Sequence, residues 1–123
     1  LTEAKSIAYL RVGSGLYLEG LLERLGIARA IHPKVTRPET DIVCELVAEG
    51  EIELGIVVIT QILTTPGVEL AGPLPPEIQS HVVFAGGIGA SSKAKDASQK
   101  LLEFLSGPEA ATVMRAQGME PAR

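Results

Sequence analysis

Aromatic side chains are scarce in this sequence. Tryptophan is absent, and Tyr9, Tyr17, Phe84 and Phe104 are the only Phe or Tyr residues. The core must therefore be assembled from Leu, Ile, Val and Ala, and little is available for stacking on bases or sugars. Cysteine is almost missing too: Cys44 stands alone, so it can form no internal disulfide and supplies no thiolate metal cluster. It lies beside Val43 on the apolar side of a predicted helix and reads as a small buried hydrophobe, which leaves the redox compartment open. There is no cluster of positive charge. Eleven basic residues are scattered among fifteen acidic ones, for a formal charge of −4, which argues against nucleic acid as a partner. No apolar run approaches the roughly 20 residues that cross a bilayer, and no basic, apolar, small-residue leader opens the chain.

What is present is hydrophobic patterning. With 123 residues, 46% of them hydrophobic, the chain suits one domain, able to bury roughly two-thirds of its unfolded surface. The most informative segment runs from Glu45 to Val58. Ile42, Val43, Leu46 and Val47 recur at helical spacing, Gly50 suits a left-handed cap, and Leu54 to Ile59 is an unbroken apolar run of strand length. A helix thus feeds a buried parallel strand.

The same alternation extends along the chain. Ser6 to Leu10 reads as a short strand, Val12-Gly13-Ser14-Gly15 as a tight turn, and Leu18, Leu21, Leu22 and Leu25 as the stripe of a helix that Gly26 ends. Ala30 to Val35 is a weak extended stretch; Pro33 and Pro38 forbid a long helix there, and Thr40 or Asp41 suits the N-cap of the next helix. Thr60 can cap a short turn through Leu63, Val68 to Ala71 reads as a strand, and Gly72 to Pro76 as an ordered extended crossover. His81 to Ile88 is the last predicted strand, with Gly86-Gly87 marking a bend. Asp96 to Gln99 has the form of a capping box for a helix that buries Ala97, Leu101, Phe104 and Leu105, and Ser106-Gly107-Pro108-Glu109 opens a final helix that ends at Gly118. The expected fold class is α/β, with a mostly parallel sheet and helices on both faces.

The strand-to-helix turn at Gly13, Ser14 and Gly15 is the best site for ligand contact, because it exposes backbone N–H groups at the positive end of a helix. The Ser14 hydroxyl either donates to a ligand or caps its own helix. Enzymatic chemistry finds no support. Glu45, Glu49, Glu51 and Glu53 read as a solvated face, and His32 and His81 have no ligand-spaced partners for a metal. Ser91 and Ser92 sit in no nucleophile elbow, and Gly86-Gly87-Ile88-Gly89 lacks the spacing of a dinucleotide fingerprint. No catalytic residue, metal or cofactor is assigned.

Three stretches together carry a family resemblance: Leu46 to Leu63, Gly67 to Gln79 with its Gly72-Pro73-Leu74-Pro75 turn, and Gly107 to Pro121 with its closing Gly118-Met119-Glu120-Pro121. They resemble the periplasmic substrate-binding proteins of ABC transporters, and within these the molybdate-binding-protein-like group of the type 2 periplasmic-binding fold. The resemblance runs from about Lys5 to Pro121 and corresponds to the second of two lobes, with residues 5–80 as that lobe. Residues 81–123 correspond to a return strand and C-terminal helices facing the first lobe, so that 1–123 forms one domain.

The resemblance implies a periplasmic binding protein, not an enzyme, that traps a small anion between two lobes. The ligand would be a molybdate-like oxyanion or a small polar or carboxylate solute. A membrane permease would be its partner, and an isolated lobe would tend to form a homodimer. Ligand contacts are implied at Gly13, Ser14 and Gly15, at the helix start Thr40, Asp41 and Ile42, and at Val57 and Val58. At the last position the molybdate binders carry a Tyr, whereas two valines offer only backbone groups; the Gly13 turn is also shorter than in those relatives. A ligand-sensing domain of a transcription regulator shares the architecture and is the alternative, and an anion-binding transferase lobe is a third reading.

Overall fold

The computed structural model describes residues 1–121, which form two compact units, one spanning Leu1–Val82 and the other beginning at Val83. The first unit is built on a parallel sheet of three short strands, β1 (Ile7–Ala8), β2 (Val35–Thr36) and β3 (Leu54–Gly55), in the order β2-β1-β3. Ile7 is in register with Val35 on one side and Leu54 on the other, and Ala8 with Thr36 and Gly55. Bonds beyond the ladder prolong the pairing: Tyr9 N–H donates to Thr36 O (3.3 Å), and Ile56 N–H to Ala8 O (2.9 Å).

Alternation along β1 creates two cores. Ile7 and Tyr9 point to one face, where they meet Leu18, Leu21 and Leu22 of α1 (Ser14–Arg24) and Ala28 and Ile31 of α2 (Ala28–Ile31). Ala8 points to the other face and packs with Val43 of α3 (Val43–Ala48) and with Ile52. The two β1 residues and Tyr9 just beyond them have no solvent exposure, as expected of a strand covered by helices on both sides. The α/β class, the parallel sheet and the two helical layers therefore stand as the periodicity implied. Gly26 (φ 68°) and Gly50 (φ 78°) end α1 and α3 in the left-handed region that only glycine enters freely.

Several elements differ from expectation. Leu25 lies just past α1 and is exposed, so the buried stripe stops at Leu22. Ala30 to Lys34 is not extended: α2 and a 3₁₀ turn at His32–Lys34 occupy it, because Ala28 and Ile31, three apart, bury on the sheet, and only Val35, where β2 begins, is extended as expected. The apolar run after Gly55 leaves the ladder, and α4 (Ile59–Thr64) starts at Ile59, so Thr60 is a helical residue whose carbonyl accepts from the Thr64 hydroxyl. Val68 to Ala71 and His81 to Ile88 join no strand among the described residues. Apolar composition alone does not make a strand; a pairing edge is needed, and Val82, Val83 and Phe84 stay exposed.

The second unit contains α5 (Lys95–Leu105) and α6 (Pro108–Ala116), which pack on each other. Ala94 is the N-cap of α5 without a side-chain bond, which places Asp96 inside the first turn and dissolves the predicted capping box. Gly107 is the N-cap of α6 and Pro108 its first residue, while the Ser106 hydroxyl turns back to Leu102 O (2.8 Å). The stripe expected to be buried is not: Ala97, Leu101, Phe104 and Leu105 are exposed, and Ala110 of α6 is the buried residue. Two helices have too little facing surface to cover both apolar stripes.

One close approach governs how α1 leaves β1. A Cβ placed on Gly15 would lie 1.6 Å from the Leu10 carbonyl oxygen, so any side chain must push the helix start off the strand. Gly15→Ala is expected to cost about 3 kcal/mol or more by overpacking against backbone, read as a lowered denaturation midpoint; unchanged stability would show that the turn can shift.

Candidate functional site

In a parallel sheet all carboxyl ends emerge at one edge, and ligands of open α/β sheets bind outside that edge. Here the edge gathers the turn after β1, the segment after β2 and the segment after β3, which hold every residue implicated above. Hydrogen bonds knit the three together. Arg11 N–H, after β1, donates to Pro38 O, after β2 (3.4 Å), and the Gln61 amide of α4 donates to the Asp41 carboxylate.

The central turn is a type II′ turn. Gly13 adopts φ 59° and ψ −120°, and Gly15 N–H closes the turn on Val12 O (3.2 Å). Leu16 N–H bonds Gly13 O (3.1 Å), whereas the N–H groups of Gly13 and Ser14 have no partner among the described residues. They point from the start of an eleven-residue helix with no side-chain cap. Ser14 is the first helical residue, so its hydroxyl is not the cap of α1. Gly13 is exposed, Ser14 half-buried and Gly15 buried against β1.

The remaining residues take different places. Thr40, Asp41 and Ile42 are exposed; Ile42, and not Thr40 or Asp41, is the N-cap of α3, because Thr40 O already accepts Ile42 N–H (2.9 Å) and Asp41 faces Gln61. Val57 packs on the Ala8–Val43–Ile52 core, and Val58 is the N-cap of α4. Val12, Leu16 and Ile42 expose apolar surface at the same edge.

A polar cluster behind the edge had no signal in the sequence, since four separate segments supply it. Glu19 Oε1 accepts from the Tyr9 hydroxyl (2.7 Å) and from Arg37 (2.6 Å), and Glu19 Oε2 pairs with His32 Nε2 (3.0 Å). Burial pushes the Glu19 carboxyl up, but the hydrogen bonds from Tyr9 and His32 and the charge of Arg37 outweigh it, leaving the group below its ordinary value. Burial first, then the Glu19 hydrogen bond and charge, pushes the Tyr9 hydroxyl up to about 12. The two arginines after β1 and β2 are both paired, Arg11 with Glu39 (3.1 Å) and Arg37 with Glu19. Burial also pushes the Cys44 thiol up, which suits a packing residue and not a nucleophile. Glu45, Glu49, Glu51 and Glu53 are all exposed.

Residues 5–120 match the family described as Bacterial extracellular solute-binding protein. The chain belongs to that family. A curated relative, the aconitate isomerase of Pseudomonas sp, is 28% identical over 122 residues, covering 98% of this chain and 47% of the relative. The chain thus spans about half the length of the curated relative it matches. No solved structure matches it. Membership of an extracellular solute-binding family implies a periplasmic or extracellular setting. No helix among the described residues is long and apolar enough to cross a membrane.

Two outcomes are expected here. Tyr9 is favoured in its neutral form by folding, so its contribution is complete below pH 10 and is lost as pH rises to about 12. Tyr9→Phe should therefore flatten the alkaline limb of a stability–pH curve; an identical limb in both proteins would contradict the cluster. Ser14→Ala should change unfolding free energy by no more than about 0.5 kcal/mol, since no cap bond is lost; a loss of about 1 kcal/mol or more in denaturant titration would restore the capping role.

Proposed function

We propose that this chain is the second lobe of a periplasmic solute receptor of an ABC transporter, and that it grips a small organic carboxylate at the carboxyl edge of its sheet. The unbonded N–H groups of Gly13 and Ser14, at the start of α1 and at the end of the central strand, carry this reading. They offer neutral donors and a positive helix end to a carboxylate, with the Ser14 hydroxyl beside them. Gly15 lets the helix start approach, the Thr40–Asp41–Ile42 segment lines one side, and backbone groups of Val57 and Val58 line the other.

Two features favour an organic carboxylate over a molybdate-like oxyanion. A tetrahedral oxyanion needs polar donors on all sides, whereas Val12, Leu16 and Ile42 present hydrocarbon at this edge. A relative whose name specifies aconitate supports a small carboxylate as well. The first lobe, in the whole protein, supplies the second jaw and covers the exposed stripe of α5; without it the stripe favours self-association. The extracellular family favours a transporter permease as partner over a DNA-binding regulator.

The relative's name also favours a second reading, isomerisation of a carboxylate by the two-lobed protein. This lobe offers it little: Glu19 is engaged by Tyr9, His32 and Arg37, which hold its carboxyl below the ordinary value and leave it a poor proton shuttle.

Calorimetry of the full-length protein against aconitate, citrate, acetate, molybdate and sulfate separates these readings. A carboxylate is expected to bind, and Ser14→Ala to weaken it about tenfold through loss of one hydrogen bond to a charged group. Binding of molybdate or sulfate in preference, or of no anion, would overturn the reading, and turnover of aconitate would establish the isomerase.

A further inference from the structure

The segment from Arg37 to Ile42 forms one wall of the proposed site, yet it belongs to no ladder, since β2 ends at Thr36. Its position must be set by side chains and isolated bonds. At its far end Asp41 is held by Gln61. At its near end Arg37 donates to Glu19, which lies on α1 and not on a neighbouring strand.

We propose that Glu19 is a positioning residue for the binding edge: it clamps Arg37 and thereby fixes residues 37–42 beside the β1–α1 turn. The inference rests on the site described under Proposed function. Its geometry is specific. Glu19 is reached from three segments at once, by the Tyr9 hydroxyl at 2.7 Å, by Arg37 at 2.6 Å and by His32 at 3.0 Å. Tyr9 has no solvent exposure, so its ring is fixed by the core and its hydroxyl holds Glu19 Oε1 in one place. The same oxygen receives Arg37, which transmits the core's rigidity to the loop. Immediately beyond, the fixed φ of Pro38 and the bond from Arg11 N–H to Pro38 O carry that placement to the turn holding Gly13 and Ser14. The Arg11–Glu39 pair lies on the exposed side of the same connection and adds little, with both side chains largely in solvent. Glu19, one-quarter exposed and shared among three donors, is the stronger tie.

Peptide-resolved hydrogen exchange on the full-length protein tests this, with aconitate as the binding probe in parallel calorimetry. Glu19→Ala and Arg37→Ala are each expected to speed exchange over residues 37–42 about tenfold, and the double variant no further, because one contact is being removed. Residues 54–56, which pair with β1 on the opposite side, should exchange as in the parent. Aconitate affinity should fall about tenfold in the same variants. Tyr9→Phe keeps the Glu19–Arg37 contact and should affect residues 37–42 less than Glu19→Ala does. Unchanged exchange over 37–42, or equal acceleration at 37–42 and 54–56, overturns the proposal, since the second pattern means Glu19 supports only global stability. If Glu19→Ala does not fold, Glu19→Gln keeps an acceptor for Tyr9 but weakens the charged contact, and the same local or uniform patterns decide. If aconitate does not bind the parent, the ligand reading fails, while the exchange pattern still decides the positioning role.

Discussion

Burial of β1 on both faces is the constraint from which the rest of the first unit follows. A strand with Ile7 and Tyr9 on one side and Ala8 on the other can lose all solvent contact only if helices cover both sides. That requires crossover connections, and crossovers give parallel neighbours. Parallel neighbours in turn bring three connecting segments to a single edge. That Gly13, Thr40 and Val58 all lie on segments leaving the carboxyl ends of the three strands is thus a product of how Ile7, Ala8 and Tyr9 are packed.

The same strand organises the polar cluster. Tyr9 carries its ring into the core and its hydroxyl to Glu19, so one residue belongs both to the hydrophobic packing and to the network that reaches Arg37. A buried tyrosine that finds an acceptor is satisfied at little cost; without Glu19 its hydroxyl would be an unpaired group inside the fold. Packing and placement of the edge are therefore linked at one side chain.

Local signals were legible where the physics is local. The stripes of α1 and α3, the glycines at positions 26 and 50, and Pro108 at the start of α6 depend on periodicity and on single-residue backbone preferences. Strands were legible only where a partner exists, which is why residues 7–8 and 54–55 pair while 68–71 and 81–88 do not. The caps drifted by one or two residues: Ala94, Gly107 and Ile42 hold positions for which Asp96, Ser106 and Asp41 offered better side chains. In the last case Gln61 competes for the carboxylate, and in the second the hydroxyl turns to the preceding helix. At the candidate site the strand–turn–helix pattern around Gly13 was readable from glycine and leucine spacing. The Tyr9–Glu19–His32–Arg37 cluster was not, because its members are far apart in sequence and share no motif.

The pairing of Arg11 and Arg37 with carboxylates has a kinetic corollary. Neither guanidinium is available to project an attractive field outward, and the formal charge of −4 faintly opposes an approaching anion. In the proposed reading, amide N–H groups act at contact range, well inside the Debye length, so they would hold a carboxylate without drawing it in. Encounter would then proceed at the unassisted diffusional rate, largely indifferent to ionic strength, and tight capture would have to come from slow escape.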